Sequence, residues 1–297
     1  MCFFVYYFTM SRPLRIEYPG AFYHVFSRGN ANQNIFFTDQ DRLAFLKNLE
    51  HCIEFYHLIC HAYCLMDNHY HLLLETPEGN LSNAMRDING NYTQRFNVRH
   101  NRAGHLLQGR YKAILVEKEP HLLEVVRYIV NNPVNAYLVD RAEFWKWSSF
   151  RATVGMIKTP KWLYVCDTLD LFSKKRVEAQ KQFRCFVQRD MEKQSPFIMV
   201  QEGVILGSQQ FVDWIWEKTN GSEEKKELPR DQRMVGRPSL EEIFQNEMSQ
   251  QERNDAIVFA RFRCGYLTTE IAKYVGLERS VVGRISRGKY GKAQNPT

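Results

Sequence analysis

The sequence predicts an α+β fold from two observations. Over the first half, short aromatic and β-branched runs alternate with longer stretches of helical spacing, in the order β-α-β-β-α-β-α. After residue 150 the strand-like runs stop, and charged and apolar residues alternate at helical intervals. The first pattern is a split βαβ unit: a ferredoxin-like, four-stranded antiparallel sheet with helices on one face and one added helix. The second predicts an all-α region that ends in a helix-turn-helix.

Ala21–Arg28 reads as the first strand, stopped by Gly29-Asn30. Asp39–His57 carries Leu43, Leu46, Leu49 and Ile53 at helical spacing, with Thr38 as N-cap. Leu58–Leu65 and His69–Glu75 flank the turn Met66-Asp67-Asn68 and form a hairpin. Leu81–Arg99 is the second helix and Leu106–Glu117 the fourth strand. Pro120–Asn132 is a third helix, expected to stop at Pro133. The aromatic segment Trp145–Phe150 is expected to anchor the end of this domain. Leu163–Lys218 reads as helical throughout.

The expected organisation is an N-terminal extension over 1–10, a catalytic domain over 11–150, a helical connection over 151–220, a linker over 221–239 and a DNA-binding module over 240–290. Met1–Thr9 is apolar without a basic flank or a cleavage site, so Met10 is the expected natural start. Gly221–Pro238 is charged and broken by Gly and Pro, as a linker should be.

The 297 residues carry 40 Lys and Arg against 33 Asp and Glu, a net charge of +7, which leans toward a polyanionic partner. No run approaches the length of a membrane span, so no membrane partner is expected. The 7 cysteines are scattered, and Cys60 and Cys64 lack a second pair. That argues against a zinc ribbon and for reduced thiols in the cytoplasm.

All 9 histidines lie at or before His121, which puts any imidazole chemistry in the first domain. His69 and His71 are two apart on a strand and therefore share a face, expected to be the open face of the sheet, with Tyr70 pointing beneath the helices. Two imidazoles so placed can converge on one cation, although an H-x-H alone is a weak motif. On the third helix, Leu122, Leu123, Val126, Ile129 and Val130 form an apolar arc. Glu124, Tyr128 and Asn132 line up on the opposite side at i, i+4 and i+8. Facing the histidines, that stripe offers a phenol nucleophile and an oxygen ligand. Two nitrogens and an oxygen, with positions left for water and phosphate, suit Mg²⁺ or Mn²⁺. Arg110 and Lys112 share a face of the fourth strand and could hold a phosphate backbone or simply be solvated; Tyr111 opposes them in parity. The set describes DNA strand cleavage through a tyrosyl-phosphate.

These residues resemble a known family. YHVFSRGN (Tyr23–Asn30), CLMDNHYHLLLETP (Cys64–Pro77), QGRYKAILVE (Gln108–Glu117), RYIVNNPVNAYLV (Arg127–Val139) and WKWSSF (Trp145–Phe150) follow one another as in REP-associated tyrosine transposases, of the HUH single-tyrosine superfamily. The resemblance implies a catalytic domain that cuts and rejoins single-stranded DNA near hairpins without a nucleotide cofactor. It implies His69 and His71 as the metal-binding pair, Asn132 as a third ligand, and Tyr128 as the nucleophile of a 5′-phosphotyrosine intermediate. Tyr70 departs from the aliphatic favoured between the two histidines. The resemblance leaves monomer and homodimer both open.

Leu267–Lys289 has helix-turn-helix spacing, with Thr268 as cap, Gly276 at the turn and a second helix over Arg279–Arg287. Arg261–Lys292 holds eight basic residues against Glu270 and Glu278, a local charge of +6. Arg279, Ser280, Arg284 and Arg287 are the expected contacts to duplex DNA. The segment Arg253–Arg287 resembles the module appended to some REP-associated transposases, itself similar to the DNA-binding domain of DnaA. Two rivals share these features: a rolling-circle or relaxase-type nickase, and a regulator that binds DNA without cutting it.

Overall fold

The structure is a computed structural model that describes residues 16–189, 195–200, 204–220, 239–244, 248–264 and 266–286. The expected N-terminal extension, residues 221–238 of the expected linker, and Arg287 lie outside the described residues.

Four strands form the predicted antiparallel sheet: β1 (Ala21–Arg28), β2 (Ile59–Leu65), β3 (His69–Thr76) and β4 (Lys112–Val116). Their order is β2-β3-β1-β4, that of a split βαβ. A fifth strand, β5 (Ile205–Leu206), adds in parallel to β4 and makes the sheet mixed. The helical reading of Leu163–Lys218 missed it, because two residues are too short for an alternation signal. The fourth strand is also shorter than expected. Leu107 makes an isolated bridge to Gly29, and Gly109, at φ +64°, turns the chain before Lys112. Arg110 therefore lies in the approach to β4 rather than on it.

Helix α1 (Asp39–Tyr56) starts at the expected Thr38, whose hydroxyl accepts from the Asp41 N–H while the Asp41 carboxylate accepts from the Thr38 N–H. Its buried stripe is Phe45, Leu49, Cys52, Ile53 and Tyr56; Leu43, expected inside, is exposed. Helix α2 (Leu81–Arg99) buries Met85, Ile88, Tyr92 and Phe96 beside it. Both helices cover one sheet face, where Tyr70 packs on Phe45 and donates to Asn89 Oδ1 at 2.6 Å.

The other face is not open. Helix α3 (Lys118–Asn135) packs across β2 and β3 with Leu122, Val125, Val126, Ile129 and Val130 buried. It runs through Pro133, which removes only the bond to the Ile129 carbonyl; Ala136 N–H and Leu138 N–H still bond back to Asn132 and Pro133. Short helices α4 (Phe150–Thr153) and α5 (Cys166–Asp170) follow, then α6 (Arg176–Arg189), whose Val187 carbonyl accepts from Asn131 Nδ2 at 2.9 Å. Helix α7 (Gln209–Asn220) completes this part, and one hydrophobic core runs from Ile16 to Ile215. The Trp145–Phe150 segment does anchor the fold: Trp145 Nε1–H donates to the Leu65 carbonyl, and Leu65 N–H donates to the Trp147 carbonyl.

A second core joins α8 (Leu240–Ile243), α9 (Gln250–Val258), a π-turn at Phe259–Arg263, α10 (Thr268–Val275) and α11 (Arg279–Ser286). Ile257, Ala260, Ile271 and Val282 are its most buried members. Gly276, at φ +67°, ends α10 in the left-handed conformation. Thr268 is the first helical residue rather than the cap, which is Leu267. Among the described residues no helix is long and apolar enough to cross a membrane.

Two glycines give opposite expectations. A Cβ on Gly29 would run into the Gln33 carbonyl oxygen, whereas one on Gly90, exposed within α2, would meet nothing. Gly90→Ala should raise unfolding stability by about 0.5–1 kcal/mol. Gly29→Ala should lower it by about 1–3 kcal/mol. Urea denaturation of both variants checks the pair, and a common sign would contradict the packing.

Candidate active site

Register decides which side chains meet. Across β1 and β3, Phe26 lies opposite His71 and Arg28 opposite His69; across β1 and β4, Phe26 lies opposite Lys112. Directly opposed residues share a face. His69, His71, Phe26, His24 and Lys112 therefore project together toward α3, and Tyr70 projects away. The predicted parity of His69, Tyr70 and His71 is as observed, but the face is roofed by α3 and by the short 3₁₀ turn Pro196–Met199.

The His69 and His71 ring centroids are 5.0 Å apart. Tyr128, on α3, meets this pair: its ring lies 5.9 Å from His71, edge to face at 88°. The same ring is 5.9 Å from His24 and 4.9 Å from Phe197. Phe197 also stacks on His24 at 4.4 Å. Helix α3 holds the phenol there because its apolar stripe is fixed to the sheet, which leaves Tyr128 against His24 and His71.

The ring nitrogens divide cleanly. His69 Nδ1 lies 2.6 Å from Asn68 Oδ1. A carboxamide oxygen only accepts, so His69 Nδ1 carries the proton and Nε2 keeps its lone pair. His71 Nδ1 lies 2.9 Å from His24 Nε2, which also leaves the Nε2 of His71 as its remaining nitrogen. The donor set thus fits a divalent ion: two neutral imidazoles on one face, each held through the other nitrogen.

Burial keeps these rings neutral. It lowers His24 from 6.5 to about 3. Burial, reinforced by His24 and His69, takes His71 well below the usual range, and burial also lowers His69. Burial raises the Tyr128 phenol above 10.0, partly offset by Ser195 and Asn132. The hydroxyl is therefore protonated at neutral pH, and its activation as a nucleophile needs a base or a metal ion.

Asn132 Nδ2 donates to the Tyr128 carbonyl at 2.9 Å. Its side-chain amide also hydrogen-bonds the Tyr128 phenol, and no described contact joins it to the imidazoles. Lys112 is exposed, its ammonium 5.9 Å from the Phe26 ring. Arg110 is exposed in the approach to β4, and Tyr111 is buried with its hydroxyl 3.1 Å from Ser82 Oγ. Arg279, Ser280 and Arg284 lie on α11, where Val282 and Ile285 are buried and Arg279 and Ser280 are exposed.

Sequence reasoning missed His24, Ser195 and Phe197. Only the alternation of AFYHVFSR carried a signal for His24, and choosing its face required the β1–β3 register. Among the described residues one further group could hold a metal: His61, Glu75 and Asp167, with ligand atoms within 4.8 Å of one another. Lys118 already fills it, its ammonium 2.6 Å from Asp167 and 3.6 Å from Glu75. Although burial opposes the charge, those carboxylates hold Lys118 above its usual range.

Residues 18–132 match the sequence profile of the family described as "Transposase IS200 like". A solved structure of a REP-associated tyrosine transposase bound to a REP hairpin is 19% identical, over 53% of this chain and 90% of that one, with a TM-score of 0.43. No curated protein matches the chain.

Because the folded pKa values of His24 and His71 lie below the unfolded 6.5, their stabilising contribution is complete above that pH and is lost as the pH falls. In metal-free buffer, unfolding free energy should drop below pH 6.5, at up to about 1.4 kcal/mol per pH unit for each buried imidazole. Urea titrations from pH 7.5 to 4.5 check this, and a flat profile would contradict it.

Proposed function

We propose that the chain, whose residues 18–132 match the IS200-like transposase family, cuts and rejoins single-stranded DNA near hairpins through a covalent 5′-phosphotyrosine on Tyr128. The observation that carries this reading is the meeting of Tyr128 with His71 at 5.9 Å, on a face where His69 and His71 both keep an Nε2. His69 and His71 are the residues that would hold Mg²⁺ or Mn²⁺, with Asn132 as the candidate oxygen ligand. Such an ion would polarise a phosphoryl oxygen and stabilise the departing oxyanion.

The chain's own residues account for the rest. The Tyr128 oxygen attacks phosphorus, the bond from phosphorus to the 3′ oxygen breaks, and the released strand end takes a proton to become a 3′-hydroxyl. The phenol proton passes to solvent. Ser195 and Asn132 hydrogen-bond the phenol oxygen and favour its ionised form against burial. Lys112 and Arg110, at the rim, suit phosphates of the bound strand. Rejoining is the reverse attack by a 3′-hydroxyl on the phosphotyrosine, so no nucleotide cofactor is needed.

The C-terminal core supports a second, duplex-binding role. Helix α11 carries Arg279, Ser280 and Arg284, and the sequence from Arg261 to Lys292, which includes Arg287, holds a local excess of positive charge.

Incubation of the full chain with labelled hairpin DNA and Mn²⁺ should give a band that survives denaturing electrophoresis. Tyr128→Phe should reduce it by at least about a thousandfold while hairpin affinity stays within a few fold; undiminished cleavage by that variant would overturn the assignment. Arg279→Ala and Arg284→Ala should each weaken duplex binding and lower the salt-dependence slope by about one. Unchanged duplex affinity would assign the module a structural role.

A further inference from the structure

Among the described residues His24 makes one polar contact, and that contact is with His71. The two ring planes differ by 9°, and their centroids lie 5.1 Å apart, about the 2.9 Å N···N distance plus one ring radius at each end. The rings thus meet head-on within a common plane, the geometry of an N–H···N bond between imidazoles rather than of a face-to-face stack. Phe26 and Phe197 hold His24 in that plane, with centroids 5.3 and 4.4 Å away.

Two tautomeric arrangements satisfy this bond, and they have opposite consequences. If His24 Nε2–H donates, the His71 proton sits on its own Nε2 and blocks that nitrogen. If His71 Nδ1–H donates, the His71 Nε2 lone pair is free. Only the second arrangement makes His71 a ligand.

The other nitrogen of His24 shows that packing alone does not explain the residue. His24 is 1% exposed, and its Nδ1 has no hydrogen-bond partner among the described residues. The same face of β1 carries Phe22 and Phe26, and an apolar ring at position 24 would fill the space without stranding a polar atom. The imidazole is accounted for by the one bond it does make.

We infer that His24 is a positioning residue that accepts the Nδ1–H of His71 and so fixes both the ring plane and the tautomer that presents the His71 Nε2 to a divalent cation. This rests on the reading of His69 and His71 as the cation's ligands. Asn68 holds His69 in the equivalent way from the neighbouring turn, so each imidazole has its own acceptor.

The test uses the full chain with Mn²⁺ as probe, read by electron paramagnetic resonance, and long-range ¹H–¹⁵N spectra of histidine-labelled protein with Mg²⁺. The wild type should show His71 protonated on Nδ1, a readout that needs no substitution. His24→Phe should weaken Mn²⁺ binding about 10- to 100-fold. His24→Gln, whose carboxamide oxygen can reach the same position, should restore most of it. His71 protonated on Nε2 in the Mg²⁺-loaded chain, undiminished Mn²⁺ affinity in His24→Phe, or equal loss in both variants would overturn the inference. A wild type that binds Mn²⁺ with the expected tautomer yet forms no adduct on Tyr128 would overturn the proposed function alone.

Discussion

The site depends on the register of β1 against β3. Phe26 opposite His71 and Arg28 opposite His69 place every even-numbered residue of β1 on the face of the two histidines. A slip by one residue would turn His24 into the α1–α2 layer and bring Tyr23 in its place. The register is strongly held because both faces of the sheet are buried. Tyr70, Leu72 and Leu74 pack beneath α1 and α2, while Leu73 and His71 pack beneath α3. Leu73 and His24, opposite one another, are both fully buried.

That double burial has a price in electrostatics and a use in chemistry. His24 and His71 are buried and His69 and Tyr128 half-buried, so burial favours the neutral form of all four. Neutral imidazoles with free ring nitrogens are what a cation requires, and a phenol held neutral is a weak nucleophile. The scaffold supplies rigidity from outside the site. Helix α3 is tied to α6 through Asn131 and Val187, and Arg127 lies over the Phe186 ring while pairing with Glu124. Tyr128 is thus presented by a helix braced on both sides. The Phe197 ring covers this group from the other side, against both His24 and Tyr128.

Much of this was legible in the sequence because it follows from periodicity. Strand parity separates His69 and His71 from Tyr70, and helical spacing separates Tyr128 from the apolar arc of α3. The Thr38 cap and the Gly276 turn carry direct local signals. What was not legible depends on long-range placement. His24 becomes meaningful only once β1 is paired with β3. Part of the roof over the histidine face, Phe197, comes from a turn more than 60 positions beyond Tyr128 in the chain. The fifth strand is two residues long and is defined by its bonds to β4 rather than by its composition. Asn132, in helical line with Tyr128, turns back to the carbonyl one helical turn earlier, a local hydrogen bond that spacing alone does not specify.

The central claim is that Tyr128 alone among the tyrosines of this domain becomes linked to DNA. Peptide mapping by mass spectrometry of the wild-type chain after reaction with a hairpin oligonucleotide and Mn²⁺ tests it most directly. The account predicts a nucleotide-bearing peptide that contains Tyr128. Nucleotide on a peptide bearing Tyr70 or Tyr111, or an intact hairpin with no modified peptide, would contradict it.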